Sequence, residues 1–171
     1  MKTKLFNLKQ FIYVTFITSI WINASEIFRY FLVVMERTKA FFPNKNGVAE
    51  MDLAIFSIWG IWDTMLSAVV VFIFWLYAKT FGNNNHSVFI SGTFVWVSVF
   101  VIFWIATANM GLSSWYILLI TLPLSWIEII IGTWIASKLY KKKENEQINN
   151  CSHSVKNGKI LWKRKNASSV Y

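Results

Sequence analysis

The sequence has little charge for its length. Only 15% of its 171 residues are charged, whereas a typical soluble domain has about 25%. Hydrophobic residues make up 56% of the chain, and ten residues are Trp. This composition favours a membrane protein over a soluble domain.

Cysteine and histidine are also scarce. The single cysteine, Cys151, excludes an intramolecular disulfide. His86 and His153 are isolated, with no Cys or carboxylate at ligand spacing, so the sequence predicts no metal site. It also lacks a nucleophile motif, a phosphate-binding loop and a dinucleotide fingerprint. We therefore predict no cofactor, and an interpretation as an enzyme is weakened.

The apolar residues are collected in four long segments, at about 11–35, 53–77, 88–110 and 115–139. Each segment is longer than the roughly 20 residues that a helix needs to cross the hydrocarbon core. None of them alternates as the strand of a membrane barrel must. The sequence therefore predicts an all-α integral membrane protein, with four transmembrane helices forming an antiparallel up-down bundle over residues 11–140.

The two ends of the chain are polar and basic. Segment 1–10 precedes the first apolar segment, and segment 141–171 follows the last. Nine of the seventeen Lys and Arg residues lie from Lys138 onward, at or beyond the end of the last apolar segment. This placement favours contact with an anionic membrane surface and argues against a nucleic-acid-binding domain. We expect segment 141–171 to be a disordered tail, because its Lys- and Asn-rich composition offers little apolar surface to bury.

The distribution of positive charge predicts the orientation. If both termini are cytoplasmic, the inner side carries thirteen positive residues, nine from Lys138 onward together with Lys2, Lys4, Lys9 and Lys79. The outer side then carries three, at Arg37, Lys39 and Lys45. The positive-inside rule therefore predicts a multi-pass protein of the cell membrane with both termini in the cytoplasm.

A cleaved signal peptide is the alternative for the first apolar segment. The triplet at 23–25, Asn-Ala-Ser, is an imperfect cleavage site. The apolar sequence continues well past this triplet, and it exceeds the roughly 7–15 residues of a usual signal-peptide core. An uncleaved first transmembrane helix is therefore the preferred interpretation.

Polar and ionisable side chains interrupt these apolar segments. An ionisable group in lipid costs a few kcal/mol or more, so it needs a partner or a function. At helical spacing, each segment has one face of polar or small residues. The candidate binding residues on these faces are Asn23, Glu26, Arg29, Trp59, Asp63, Asn109, Ser125 and Glu128.

Two further expectations concern the third and fourth helices. A regular α-helix places four polar or small residues of the third segment on one face: Ser91, Ser98, Ala106 and Asn109. In the fourth segment, Pro123 removes a backbone hydrogen bond to Leu119 and is expected to bend the helix. The carbonyl freed in this way is expected to be an additional acceptor in the polar site.

The buried charges do not balance. At about 1.5 Å per residue, Glu26 and Asp63 each lie roughly 15 Å from the outer helix ends, with Glu128 somewhat deeper. Glu26 is three residues from Arg29 and can pair with it, with Asp63 as a possible second partner. If all four were ionised, three acids and one base would give a net charge of −2, which a low-dielectric site disfavours. We therefore predict that one or two carboxyl groups are protonated or that a cation occupies an outward-facing site.

Several functions fit this pattern. The first is a small transporter that binds a proton, a cation or a small polar ligand, working as a homodimer because four helices are few for a complete path. The second is an intramembrane acid/base enzyme, similar in chemistry to an isomerase, acting on a lipophilic substrate. The third is a non-catalytic membrane subunit whose polar residues bind another membrane protein. A purely structural alternative is that Glu26 and Arg29, with Asp63 as a second partner, lock the first two helices together. The tryptophans are expected to serve in packing or lipid contact, and the alternative is an aromatic cage for an ammonium group. The bilayer is the expected partner in every case.

Overall fold

The structure is a computed structural model that describes residues 7–48 and 51–167, and for 142–167 it describes the backbone only. Within these residues the regular secondary structure is entirely helical. Most of the predicted N-terminal segment 1–10, and the side chains of the predicted tail, lie outside the described residues.

Four helices follow one another along the chain. Helix α1 is Leu8–Phe41, α2 is Leu53–Phe81, α3 is Asn85–Asn109 and α4 is Trp115–Ala167. Each contains a stretch long and apolar enough to cross a membrane, and in α4 this stretch lies within Trp115–Lys141. The prediction of an all-helical protein with four membrane-spanning segments is confirmed at this level.

Local sequence sets where the helices begin and end. Asn7, Asp52 and Asn84 each accept a hydrogen bond from the backbone N–H three residues further on, at 3.1, 2.8 and 2.8 Å. Such bonds satisfy a donor at the helix N-terminus that would otherwise lack a partner. Gly82 and Gly111, which follow α2 and α3, adopt φ angles of 84° and 71°. Glycine is favoured there because side chains with a Cβ rarely adopt this backbone conformation.

Two of the helices contain a π-helical turn, Tyr30–Val34 in α1 and Val97–Val101 in α3. A π turn inserts one extra residue and rotates the following part of the helix by about 100° relative to a regular α-helix. The predicted face of the third helix is therefore wrong beyond this turn. Ser91 is buried as expected, but the inward residues that follow are Phe100 and Ala108, whereas three predicted members are exposed: Ser98, Ala106 and Asn109.

The backbone of α4 is helical as far as Ala167, and the disordered state expected for 141–171 stays a prediction. The residues that follow Lys141 include several Lys, Glu and Gln, which favour helix, so the helix continues beyond the apolar stretch. By its internal contacts the chain divides after Ser137 into two units. The first unit contains all the buried charged residues considered below.

The centre of the first unit is a cluster of buried apolar side chains to which all four helices contribute. We call it the apolar layer, and it comprises Ile22, Leu66, Val70, Val95, Phe100 and Ile129. Many other large apolar side chains point outward; Phe28, Leu53 and Leu119 are examples. A soluble protein rarely exposes so much contiguous apolar surface, whereas a lipid-facing exterior requires it.

Helix α4 packs closely against both α1 and α3. A Cβ placed on Gly132 would lie 3.4 Å from the Ile22 side chain of α1. A Cβ placed on Gly92 of α3 would lie 2.9 Å from the Ile130 side chain of α4, closer than real Cβ atoms approach. Small residues at these positions allow the helices to approach each other, as is typical of helix packing in membranes.

Candidate functional site

Four ionisable side chains lie together in the first unit, and we call them the charged layer: Glu26, Arg29, Asp63 and Glu128. They come from α1, α2 and α4. Arg29 and Asp63 are each 6% exposed, Glu128 is 2% exposed, and the side chain of Glu26 is 13% exposed. Groups of this kind are rarely buried unless they are paired, so their joint burial needs an explanation.

Arg29 is the centre of the charged layer. Its guanidinium forms an ion pair with Glu26 one turn earlier in α1. Its Nε also lies 3.5 Å from Oε2 of Glu128, so it links α1 with α4. The guanidinium carbon of Arg29 also lies 5.6 Å from the centre of the Phe100 ring, within the range of a cation–π contact. Arg29 thus connects the charged layer to the apolar layer.

The sequence predicted that Glu26 and Arg29 can pair, and it offered Asp63 as an alternative second partner of Arg29. In the structure the second ion pair goes to Glu128 instead. Spacing within one helix predicts the first pair, because residues three apart lie on the same side. The second pair depends on how α1 and α4 are rotated towards each other, which the sequence spacing does not determine.

Glu128 is the most deeply buried acid. Among the described residues, neither of its carboxylate oxygens receives a hydrogen bond of ordinary geometry, although the side chain of Ser25 lies beside it. Its backbone carbonyl is better placed, since it accepts a hydrogen bond of 3.1 Å from the Trp21 indole. Burying an acid with acceptors that lack hydrogen bonds is costly if the acid is ionised. Glu128 therefore has unused capacity to bind a proton or a donor.

Asp63 is the second surplus acid. It lies within electrostatic range of Glu26 and Arg29, but both ion pairs of Arg29 go to the two glutamates. Its backbone carbonyl accepts a hydrogen bond of 2.7 Å from the Ser67 hydroxyl. One guanidinium therefore faces three carboxyl groups, and full ionisation would leave a net charge of −2.

Two other predicted site residues border the charged layer. Asn23 donates a hydrogen bond of 2.8 Å to the carbonyl of Ser19, and its side-chain oxygen faces Gly60 of α2. Trp59 is half-buried and packs edge-to-face on Tyr30, with 4.8 Å between the ring centres. These contacts lie between α1 and α2, within a turn of Glu26 and of Asp63 in sequence.

The remaining two predicted residues have other surroundings. Ser125 is fully buried, and its hydroxyl accepts a hydrogen bond of 3.1 Å from the Trp96 indole and donates one of 2.9 Å to the carbonyl of Leu122. Its polar group is therefore used in packing α3 against α4. Asn109 is exposed at the last position of α3, because the π turn has rotated its side of the helix outward.

The carbonyl freed by Pro123 does not fit its predicted role. Pro123 lies inside α4 as expected. Pro123 is exposed, however, and Leu119, which carries the freed carbonyl, is 69% exposed. The side of the helix that lacks the hydrogen bond is therefore turned away from the charged layer, and the expectation of an extra acceptor in the site is wrong.

The structure also contains buried hydroxyl groups that were not among the predicted site residues. Ser67, Ser91 and Thr133, which we call the hydroxyl set, are at most 1% exposed. Each donates a hydrogen bond of 2.6–2.7 Å to the carbonyl four residues earlier in its own helix. Ser91 lies on the face predicted for the third helix, and a hydroxyl four residues after a helical carbonyl is the only sequence signal for the set.

The acids of the charged layer surround Arg29 and do not share one coordination point. In the part of the chain that the structure describes, no three His, Cys, Asp or Glu side chains are close enough to hold a metal ion. The arrangement offers acceptors for protons and for hydrogen-bond donors spread around a guanidinium. Such acceptors suit a proton or a larger cation better than a compact metal ion.

No protein-family model, curated protein or solved structure matches this chain. Its function must therefore be argued from its own residues and their geometry.

Proposed function

We propose that this protein is a small transporter whose buried carboxyl groups take up and release a proton, alone or in exchange for a small cation. The observation that supports this most directly is the state of Glu128. Its carboxyl group is almost fully buried, and no ordinary hydrogen bond reaches its oxygens from the described residues. Buried acids of this kind are typical of proton relays in membrane transport proteins.

The excess of acid over base supports the same proposal. With one of Glu26, Asp63 and Glu128 neutralised by Arg29, two negative charges remain in a low-dielectric environment. Protons on one or two carboxyl groups would remove this charge, and a bound cation would do the same. A site that alternates between these two states couples proton binding to cation binding.

The transporter proposal includes an antiparallel up-down bundle with an outward-facing charged layer. Two ring contacts between α1 and α2 support opposite chain directions, because Phe11 meets Phe72 whereas Tyr30 meets Trp59. The thirteen positive residues on one side against three on the other support cytoplasmic termini in the cell membrane. Since four helices are few for a complete path, we propose that two copies assemble.

A second candidate, a non-catalytic membrane subunit, is favoured by one observation. Arg29 joins two helices by pairing with Glu26 and Glu128, as a purely structural lock would. Asp63 distinguishes the two candidates. It takes part in neither of these ion pairs, so a structural lock does not need its carboxyl group, whereas the proposed transporter does.

Proton flux in proteoliposomes tests the transporter proposal. An imposed pH gradient should drive proton movement through the wild-type protein, and Asp63→Asn or Glu128→Gln should lower the rate at least about tenfold, as loss of a proton-transfer group typically does. Glu36→Gln is the matched control, because Glu36 is an exposed acid paired with Lys39 outside the charged layer. Unchanged flux in both charged-layer variants would refute transport and leave the structural lock.

A further inference from the structure

We propose that the charged layer binds a monovalent organic cation with an apolar or aromatic substituent, its ammonium group on Glu128 and Asp63 and its apolar part against the Tyr30–Trp59 ring pair. This proposal depends on the proposed function and names the class of its ligand. It joins two features of the molecule: a buried carboxyl group whose oxygens receive no hydrogen bond of ordinary geometry from the described residues, and an aromatic pair one helical turn from Glu26 and Asp63.

The acceptor is the carboxyl group of Glu128. Glu128 is only 2% exposed, and neither of its carboxyl oxygens has a hydrogen bond of ordinary geometry within the described residues. An ammonium N–H group donates to such oxygens and also removes negative charge. Asp63, left out of the ion pairs of Arg29, adds a second carboxyl group within electrostatic range of the same guanidinium.

The aromatic surface is formed by Tyr30 and Trp59. Tyr30 follows Glu26 by four residues in α1, and Trp59 precedes Asp63 by four residues in α2. A separation of four residues is about one helical turn, so each ring lies one turn from a carboxyl group on the same side of its helix. The two rings meet edge-to-face at 4.8 Å with an interplanar angle of 78°.

Trp59 is the more exposed member of this ring pair. Tyr30 is 6% exposed, but Trp59 is half-buried, and the neighbouring Phe56 is 43% exposed. A cation with an apolar substituent can therefore approach the carboxyl groups along the aromatic surface from the lipid side.

The chemistry also argues against a metal ion as the natural ligand. Calcium and magnesium need six or more oxygen ligands around one point. Among the described residues, no three acids lie close enough together to hold such an ion. A monovalent organic cation needs only one or two carboxyl groups and an apolar contact, and both are present.

Binding of benzylammonium to the purified full-length protein in lipid nanodiscs tests this inference. Isothermal titration calorimetry should detect binding of benzylammonium and none of benzyl alcohol, its neutral analogue. In a weakly buffered solution, binding should also release protons, because the cation replaces protons on the carboxyl groups. Equal binding of the two compounds would overturn the proposal, since it would show that charge plays no part.

The variants of Trp59 have a matched control on the same helix. Trp59→Leu should weaken binding about 2- to 13-fold, the range expected for loss of an aromatic pair contact, while Trp59→Phe should retain most of it. Trp62→Leu should change nothing, because Trp62 is 61% exposed and lies outside the ring pair. Equal weakening by the Trp59 and Trp62 substitutions would contradict a specific aromatic surface.

The outcomes separate this inference from the proposed function. If benzylammonium does not bind while Glu128→Gln still abolishes proton flux, the organic cation is refuted and proton transport stands. If benzylammonium binds and depends on Trp59 and Glu128 while no variant alters proton flux, transport is refuted and the cation site stands.

Discussion

The charged layer and the hydroxyl set both consist of buried polar side chains, but they obtain their hydrogen-bond partners in different ways. Ser67, Ser91 and Thr133 are buried hydroxyls that donate to a carbonyl in their own helix. A hydroxyl can do this because it is a donor and every helix offers acceptors nearby. An ionised carboxylate is only an acceptor, and the N–H groups of a helix are already used. Glu128 and its neighbours must therefore obtain donors from other helices, from protons or from a ligand.

This difference supports the proposal that the charged layer, and not the hydroxyl set, carries the function. Local hydrogen bonds make the buried hydroxyls of Ser67, Ser91 and Thr133 inexpensive. Arg29 alone cannot do the same for three acids. We therefore propose the charged layer as the functional part of the molecule. Removal of Arg29, its one base, should change the stability of the protein more than removal of a hydroxyl from the hydroxyl set.

Removal of Arg29 should have the largest effect. Arg29→Ala leaves Glu26 and Glu128 without their cation, and loss of one partner from a buried pair typically costs about 3–5 kcal/mol. Thr133→Val, which removes a buried hydroxyl without changing the shape much, should cost only about 0.5–1.5 kcal/mol. Unfolding by sodium dodecyl sulfate in mixed micelles would measure both. Equal losses would remove the distinction between the two regions.

A second substitution can sharpen this result. Glu128→Gln combined with Arg29→Ala should recover part of the lost stability, because the acid that had lost its partner is then neutral. The loss caused by Arg29→Ala alone should also be smaller at acidic pH, since the remaining carboxylates can take up protons. Strictly additive losses that do not depend on pH would argue against direct coupling.

Packing near each region should give the next largest effect. Gly92 lies beside Thr133, and a Cβ there would come within 3.0 Å of its hydroxyl and 2.9 Å of the Ile130 side chain. Gly60 lies beside Asn23 near the charged layer, and a Cβ there would be 3.6 Å away, an ordinary contact. Gly92→Ala should therefore cost about 1–3 kcal/mol, the usual range for overpacking.

The matched substitution Gly60→Ala should cost less than about 0.5 kcal/mol, as is usual for a position without steric conflict. The same unfolding assay measures both variants. A greater loss for Gly60→Ala than for Gly92→Ala would show that the region of the charged layer is the more tightly packed of the two.

A smaller effect than at Arg29 or Gly92 is expected at Trp21. Trp21→Phe removes the hydrogen bond from the indole to the Glu128 carbonyl and should cost about 1 kcal/mol. Trp62→Phe is the control, because Trp62 is 61% exposed and should be neutral in the same assay. If Trp21→Phe is neutral as well, the indole does not help to hold α4 against α1.

Sequence alone predicts the four helices well, because the length and composition of an apolar segment are nearly sufficient to identify a membrane span. It also predicts the pair between Glu26 and Arg29, which depends only on spacing within one helix. It misses the link between Arg29 and Glu128, since this link requires the relative rotation of two helices. It also misplaces Asn109, because no residue pattern in α3 marks the extra residue of the π turn.

The central claim is that the charged layer contains more acid than its base can neutralise, so that a carboxyl group there exchanges a proton. Infrared spectroscopy of the protein in lipid, near neutral pH and without organic cations, measures this directly. We predict an absorption band from a protonated carboxyl group that is lost in Glu128→Gln or in Asp63→Asn and kept in Glu36→Gln. A wild-type spectrum without such a band, unchanged by either charged-layer substitution, would contradict the claim.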